Sequence, residues 1–101
     1  MSNRDTVGPV LVVSELSHHV INAIKQLNHS VDVKEYGSYL RVLVPMHCRL
    51  TKQAVEEQTG MAFILPDSLE LIMPSFKGKL SCSDDEAVWS LHKKEVVHDE
   101  R

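Results

Sequence analysis

The stretch from Leu69 to Gly78, which reads LELIMPSFKG, decides how the second half of this chain folds. Leu69, Leu71 and Met73 alternate with their neighbours, and this alternation predicts a strand with one apolar face. Pro74 has no N–H to donate to a neighbouring strand, so it ends the regular hydrogen bonding. Gly78 permits a bulge or a close approach of two backbones. The sequence therefore predicts a strand that breaks and then resumes.

The three residues between the proline and the glycine allow two interpretations. Ser75, Phe76 and Lys77 supply a hydroxyl, an aromatic ring and a cation, and a second strand is predicted over residues 79–82. If this is a tight connection between strands, Phe76 turns into the core, and the physics of folding by itself slightly favours that arrangement. If the break directs side chains outward, the same residues form a surface that a partner contacts. Both interpretations stay open from the sequence.

Length and composition predict one domain over residues 1–101, with an ordered fold over about 7–91 and flexible tails at 1–6 and 92–101. A hydrophobic fraction of 43% supports a core, but only 5% of residues are aromatic, so aliphatic side chains must fill most of it. A domain of this size has little room for a deep catalytic cavity, which disfavours an enzyme.

Charge and hydropathy exclude several classes of partner. The formal net charge is −3, and no basic run offers the positive surface that nucleic acids require. No apolar stretch approaches 18 residues and the N-terminus is polar, so we expect no membrane association and a cytoplasmic protein. Two widely spaced cysteines, Cys48 and Cys82, predict free reduced thiols.

The first half of the chain predicts a strand, a helix and a hairpin. The strand covers Val10–Val13 after a break at Gly8-Pro9. Ser14 is a good N-cap for a helix that Asn28-His29-Ser30 ends. Its apolar residues recur at three- and four-residue spacing: Leu16, Val20, Ala23, Ile24 and Leu27. The hairpin joins residues 31–34 to residues 39–44 through Tyr36-Gly37-Ser38.

The second half repeats that order without repeating the sequence. Residues 48–50 predict a short strand, Thr51 caps a helix through Thr59, and Gly60 ends that helix. An extended segment at 61–64, a turn at 66–68, the opening stretch and a last strand at 86–91 follow. We predict an α+β fold of two βαβ(β) units, with largely antiparallel sheets that two main helices cover.

No arrangement of reactive side chains predicts chemistry. The six histidines and two cysteines show no His-x-x-x-His or Cys-x-x-Cys spacing, so we expect neither a metal nor another cofactor. Cys48 could act as a nucleophile with a distant histidine, but a free cysteine is more often a small buried hydrophobic residue. The acidic pairs at 56–57 and 84–85 are explained as solvated surfaces.

Several short motifs, in this order and spacing, resemble one family: the small effector (coupling or regulatory) proteins of soluble bacterial multicomponent di-iron monooxygenases that act on methane, phenol, toluene and alkenes. The similarity extends from about residue 7 to residue 91. The motifs are Gly8-Pro9-Val10, Val20-Ile21-x-Ala23-Ile24, Gly37-x-Tyr39-Leu40-Arg41-Val42, Leu50-Thr51 before Glu56-Glu57-x-Thr59-Gly60-x-x-Phe63, Leu69-Glu70, Ser75-Phe76-x-Gly78 and Asp84-Asp85-Glu86.

The resemblance implies a protein without a cofactor that docks on the hydroxylase component near its di-iron centre. Such a protein changes the rate, the regioselectivity and the coupling of NADH consumption to oxygenation. A ferredoxin or reductase would compete with it for the same surface. We expect the docking residues to be Met73, Pro74, Ser75, Phe76, Lys77 and Lys79, together with Tyr39 and Arg41.

Two other classes of function remain open from the sequence. One is a small-molecule-sensing or scaffold domain of ferredoxin-like topology, which would bind a metabolite or its own copy. The other is a minimal enzyme that uses Cys48. Binding to a hydroxylase distinguishes the first from an effector, and loss of an assayed activity in Cys48→Ser would be needed to support the second.

Overall fold

The computed structural model of the protein describes residues 5–91. The elements run β1 (Thr6–Val12), α1 (Glu15–Leu27), β2 (Asp32–Tyr36), β3 (Tyr39–Pro45), β4 (His47–Thr51), α2 (Lys52–Thr59), α3 (Asp67–Glu70), β5 (Ser75–Lys77), β6 (Lys79–Cys82) and β7 (Glu86–Ser90). A four-stranded sheet has the order β2-β3-β1-β5, and a three-stranded sheet has the order β4-β7-β6. All five strand pairings are antiparallel, so the predicted α+β fold is confirmed.

Local hydrogen bonds fix the ends of α1 as the sequence predicts. The Ser14 hydroxyl accepts from the backbone N–H of Ser17 at 3.1 Å. At the other end, the Asn28 side chain donates to the carbonyls of Ile24 and Arg49 and accepts from the N–H of Arg49, at 2.8 to 2.9 Å. Asn28 therefore ends the helix and also joins it to β4, which belongs to the second unit.

The second helix follows its sequence signals equally closely. The Thr51 hydroxyl accepts from the N–H of Ala54 at 3.1 Å. Gly60 follows the last helical residue with a φ of 74°, the left-handed conformation that glycine adopts without a steric penalty. Both helix predictions are confirmed because each depends on hydrogen bonds within a few residues of the cap.

One hydrophobic cluster unites both sheets and both main helices. Its largest fully buried members come from every layer of the fold: Trp89 of β7, Phe63 after α2, Leu11 of β1, Ile24 of α1 and Leu50 of β4. Helix α1 and the inward-facing residues of the four-stranded sheet belong to the same cluster. The buried hydrophobic residues of the helices within residues 5–91 belong to this cluster, so none of these helices covers the opposite face of that sheet.

The first strand begins earlier than the sequence suggests. It starts at Thr6, runs through Gly8-Pro9 and ends at Val12, so the predicted strand is confirmed for residues 10–12. The predicted break at Gly8-Pro9 and the placement of Thr6 in a tail were wrong. Gly8 makes this continuity sterically allowed, because a Cβ there would lie 2.4 Å from the Val42 carbonyl oxygen. Asp5, which was also predicted to lie in that tail, accepts from the N–H of Met46 at its backbone carbonyl oxygen, at 2.7 Å. The other tail residues, 1–4 and 92–101, lie outside the described residues.

The opening stretch does not begin as a strand. Leu69 and Glu70 end the short helix α3, which also replaces the predicted turn at 66–68. Leu71 is 84% exposed, whereas Ile72 and Met73 are 7% and 9% exposed, which is not an alternating pattern. Leu69 and Ile72 are both buried and lie three residues apart, as one helical turn requires. The segment at 61–64, which was predicted to be extended, belongs to neither sheet.

The break at Gly78 transfers the chain from one sheet to the other. Strand β5 pairs with β1 at the edge of the four-stranded sheet, and β6 pairs with β7 in the three-stranded sheet. A Cβ on Gly78 would lie 2.6 Å from the Ser90 carbonyl oxygen and 2.8 Å from a methyl group of Val7. The predicted close approach of backbones at this glycine is confirmed.

Candidate docking surface

The uncovered face of the four-stranded sheet is built by strand alternation. Leu40, Val42 and Val44 of β3 point into the core, so Tyr39 and Arg41 point the other way. We call the side chains on this solvent side the outer face. By strand register it comprises Thr6, Val10, Val12, Asp32, Lys34, Tyr36, Tyr39, Arg41, Leu43, Ser75 and Lys77.

Two rows of residues cross the outer face from strand to strand. The first runs Lys34, Arg41, Val10 and Ser75, which are consecutive register partners on β2, β3, β1 and β5. Neighbouring strands lie about 4.8 Å apart, so the four backbones of this row span roughly 15 Å. The second row runs Tyr36, Tyr39 and Val12, on β2, β3 and β1. The sheet therefore assembles residues that are far apart in the sequence.

A shallow depression of about 200 Å³ opens on the outer face. Its lining is Thr6, Lys34, Tyr36, Arg41, Leu43 and Lys77. Two of its amino groups have neighbours: Lys77 Nζ lies 3.4 Å from the Thr6 hydroxyl, and Lys34 Nζ lies 3.3 Å from Asp32 Oδ2. Three cationic side chains from three strands thus surround a single depression.

The structure brings together four of the predicted docking residues. Tyr39, Arg41, Ser75 and Lys77 lie on the outer face, as described above. Two of the predicted residues lie elsewhere: Met73 is buried in the core, and Lys79 lies on β6 in the other sheet.

Pro74 and Phe76 occupy the edge of this surface. Pro74 is exposed immediately before β5. Phe76 is 43% exposed and lies opposite Pro9, so its side chain points to the other side of the edge strand. The interpretation of Phe76 as a core residue was therefore wrong, because an edge strand leaves one flank of its side chains uncovered.

Lys34 and Tyr36 were missed as candidates, although the sequence contained a signal for them. The prediction placed Tyr36 in the turn together with Gly37-Ser38, whereas Tyr36 is the last residue of β2 and the turn is Gly37-Ser38 alone. A two-residue turn fixes the register of both strands. That register places Tyr36 directly opposite Tyr39 and Lys34 opposite Arg41. With the turn shortened to Gly37-Ser38, both pairs follow from the register.

A second depression, of about 290 Å³, lies between α1 and the segment after α2. It is lined by Glu15, Leu16, His19, Thr59, Met61, Ala62, Phe63 and Ser68. Glu56 fixes its wall, since one carboxylate oxygen accepts from Lys52 Nζ at 2.6 Å and from the N–H of Phe63 at 2.9 Å. These two hydrogen bonds, first that from Lys52, lower the pKa of Glu56.

The two cysteines differ in their surroundings. Cys48 is fully buried opposite Trp89, and burial raises its pKa to about 12. Its thiol is therefore protonated at neutral pH and is a poor nucleophile, as the interpretation as a small buried hydrophobic residue predicts. Cys82 is exposed, and both thiols are free.

Residues 5–91 contain neither a cluster of metal ligands nor a membrane span. In this part of the chain, no three His, Cys, Asp or Glu side chains are grouped so that they could hold a metal ion. None of the helices described here has the length and apolar composition needed to span a bilayer.

Comparisons with known proteins give consistent matches. The MmoB/DmpM family matches residues 5–90. The effector subunit of the alkene monooxygenase system of Xanthobacter autotrophicus Py2 is 38% identical over 89 residues, which are 86% of this chain and 87% of that protein.

Two solved structures of a phenol hydroxylase–regulatory protein complex contain a chain of similar fold. The first has a TM-score of 0.77 at 14% identity and covers 86% of this chain and 98% of that chain. The second has a TM-score of 0.73 at 15% identity and covers 84% and 98%. At such identities the likeness establishes the fold.

Proposed function

This chain belongs to the MmoB/DmpM family, and we propose that it is the effector component of a multicomponent di-iron monooxygenase. In this role it binds the hydroxylase component and changes its activity, and it does not itself carry out the oxygenation. The observation that carries the proposal is the 38% identity to an alkene monooxygenase effector subunit over most of both chains. A cytoplasmic location, where NADH is available, belongs to the same proposal.

The physical requirement for such a role is modest. A protein without a reactive site can change an enzyme only by binding two of its states with different affinity. A hundredfold change in rate or population corresponds to a difference of about 2.7 kcal/mol. A standard interface of about 800 Å² per partner provides this from a few good contacts.

We place docking on the outer face and the adjacent edge strand. Tyr39, Arg41, Ser75 and Lys77 lie together on that face, with Pro74 and Phe76 at its edge. Exposed aromatic residues and arginine are the residue types most enriched in interfaces. A ferredoxin or reductase that uses the same hydroxylase surface would compete with this chain.

The test measures product formed and NADH consumed by the cognate hydroxylase and its electron-transfer components, with and without this chain. We expect saturating protein to change the rate, the ratio of product to NADH, or the distribution of product isomers. The control is an unrelated protein of similar size and net charge at the same concentration. If none of the three quantities differs from that control, the effector assignment is wrong.

A further inference from the structure

We infer that the outer face recognises carboxylate side chains on the hydroxylase, and that one of them enters the depression between Lys34, Arg41 and Lys77. This inference rests on the proposed function and adds the chemistry of the partner surface. The partner that we propose for the outer face is an acidic surface of the hydroxylase.

The charge of the outer face is opposite to that of the whole chain. The chain has a formal net charge of −3. Among residues 5–91, strand register places three cations on the outer face, Lys34, Arg41 and Lys77, and one carboxylate, Asp32. Such a local reversal of sign attracts an anionic partner and repels a second copy of the same face.

Arg41 is available for a new ion pair. Among the residues that the structure describes, none forms a hydrogen bond or salt bridge with its guanidinium. It is half-buried in the middle of the sheet between Lys34 and Val10, so its backbone position is fixed on both sides. A guanidinium held in this way can bind a carboxylate with two parallel hydrogen bonds.

Lys34 can exchange its present partner at little cost. Its ion pair with Asp32 spans 3.3 Å, and the two side chains are 47% and 56% exposed. Exposed pairs of this kind contribute little to stability. A carboxylate of a partner can therefore share or replace Asp32 without a large loss in the free protein.

The other side chains in and beside the depression suit a protein partner. Tyr36 belongs to the lining and lies opposite Tyr39 across the hairpin, and both tyrosines are exposed and offer aromatic surface and hydroxyl groups. Leu43 forms an apolar floor that is 7% exposed. Three cations among tyrosines and a leucine provide far fewer phosphate contacts than a nucleic-acid surface does, which favours protein carboxylates.

The test compares Arg41→Gln, Lys77→Gln and the triple variant with Lys34→Gln added. Lys25→Gln is the matched control, because it removes the same charge from the exposed side of α1. Binding to the cognate hydroxylase is measured directly by calorimetry, and activity is titrated separately. We expect Kd to rise about tenfold for Arg41→Gln, more for the triple variant, and less than about twofold for Lys25→Gln.

Salt provides a second readout. Raising ionic strength from about 0.1 M to 1 M shortens the screening length from about 10 Å to 3 Å, so wild-type Kd should rise. We expect a clearly weaker salt dependence in the triple variant. Carbodiimide cross-linking, which joins an amine directly to a carboxylate, should connect Lys34 or Lys77 to hydroxylase Asp or Glu residues.

The outcomes separate the two proposals. If the wild-type chain binds and alters the hydroxylase, but the folded triple variant has the same Kd and salt dependence as Lys25→Gln, the carboxylate inference is wrong and the effector function stands. If the wild-type chain neither binds nor alters the hydroxylase, both fail. Cross-links only to lysines outside the outer face would also overturn the inference. Circular dichroism and chemical denaturation establish that each variant is folded.

Discussion

At the scale of single residues, the two phenylalanines of the chain occupy opposite environments. Phe63 is 1% exposed in the core, and its N–H donates to Glu56. Phe76 is 43% exposed on the edge strand beside the outer face. The same type of side chain therefore has a different role at each position. Replacing each phenylalanine by alanine distinguishes an effect on core packing from an effect on partner binding.

We predict that Phe76→Ala weakens binding more than it weakens folding. Little more than half of its surface is buried, so the loss of stability should be about 1 kcal/mol. Truncating an aromatic interface residue should weaken binding to the hydroxylase by about 1–2 kcal/mol or more. Chemical denaturation and calorimetric titration of the same preparation measure the two effects.

The control for this prediction is Phe63→Ala, which should cost about 3–5 kcal/mol of folding stability because the residue is fully buried. If Phe76→Ala destabilises the protein as much as Phe63→Ala but binds normally while folded, the edge strand is ordinary structure and not part of the docking surface.

At the scale of elements, the connection between β5 and β6 depends on one residue without a side chain. Gly78 has a φ of 102° and allows β5 to join one sheet while β6 joins the other. The Ser90 backbone closes the space where a Cβ would lie. The position of β5, and with it that of Ser75 and Lys77, is set by this passage.

We predict that Gly78→Ala lowers the free energy of unfolding by at least about 3 kcal/mol, because it adds both an unfavourable φ and a backbone clash. Gly37→Ala is the matched control. Gly37 also has a positive φ, 62°, but no atom lies within 4 Å of the point that a Cβ would occupy, so its cost should be about 1 kcal/mol. The free energy of unfolding is measured by urea denaturation. If Gly78→Ala and Gly37→Ala lower it equally, the close approach at Gly78 has no energetic importance.

Helix α2 supports the segment after it through Glu56, and this support depends on pH. The pKa of Glu56 is lowered in the folded state, so the unfolded chain binds the proton more tightly. Its stabilising contribution is present above the ordinary pKa of 4.5 and is lost as pH falls through the lower folded value. We predict that the stability difference between wild type and Glu56→Gln narrows over that acidic range.

Chemical denaturation across a pH series measures this difference. Glu57→Gln is the control, since Glu57 lies on the same helix but its carboxylate accepts from Gln53 at 3.2 Å, without contact to Lys52 or Phe63. A difference that stays constant with pH, or that narrows equally for Glu57→Gln, would show that the hydrogen bonds of Glu56 are not responsible.

At the scale of the whole molecule, a single hydrophobic cluster connects the two sheets. It contains Leu11 and Val42 of the four-stranded sheet together with Leu50 and Trp89 of the three-stranded sheet. Neither sheet has a separate core, so neither can lose its packing without exposing the other. The rigidity of the outer face therefore depends on residues of both units.

We predict that the two sheets unfold in one cooperative transition. Trp89 is the only tryptophan and reports the three-stranded sheet, whereas Tyr36 and Tyr39 are the only tyrosines and report the other sheet. Denaturation curves from tryptophan fluorescence, tyrosine absorbance and far-ultraviolet circular dichroism should have the same midpoint. Separate midpoints for the tryptophan and tyrosine signals would show that the units unfold independently.

The sequence by itself determined the features that depend on nearby residues. The caps at Ser14 and Thr51, the helix end at Gly60 and the hairpin around Gly37 were all predicted, since each is fixed by hydrogen bonds or backbone angles within a few positions. The close approach at Gly78 was also predicted from the residue type. Family resemblance identified Tyr39 and Arg41 as candidates before their positions were known.

Only the tertiary structure decided which residues meet on the outer face and where the Leu69–Met73 segment turns. A short apolar run fits a strand or a helical turn equally well, and the core selected the turn by burying Leu69 and Ile72. The pairing of β5 with β1 joins residues 75–77 to residues 8–10, and no local signal encodes so distant a contact. That pairing brings Lys77 to the same depression as Arg41 and leaves Phe76 on an edge strand. Which strands pair is decided by the packing of the whole chain, so no single segment predicts it.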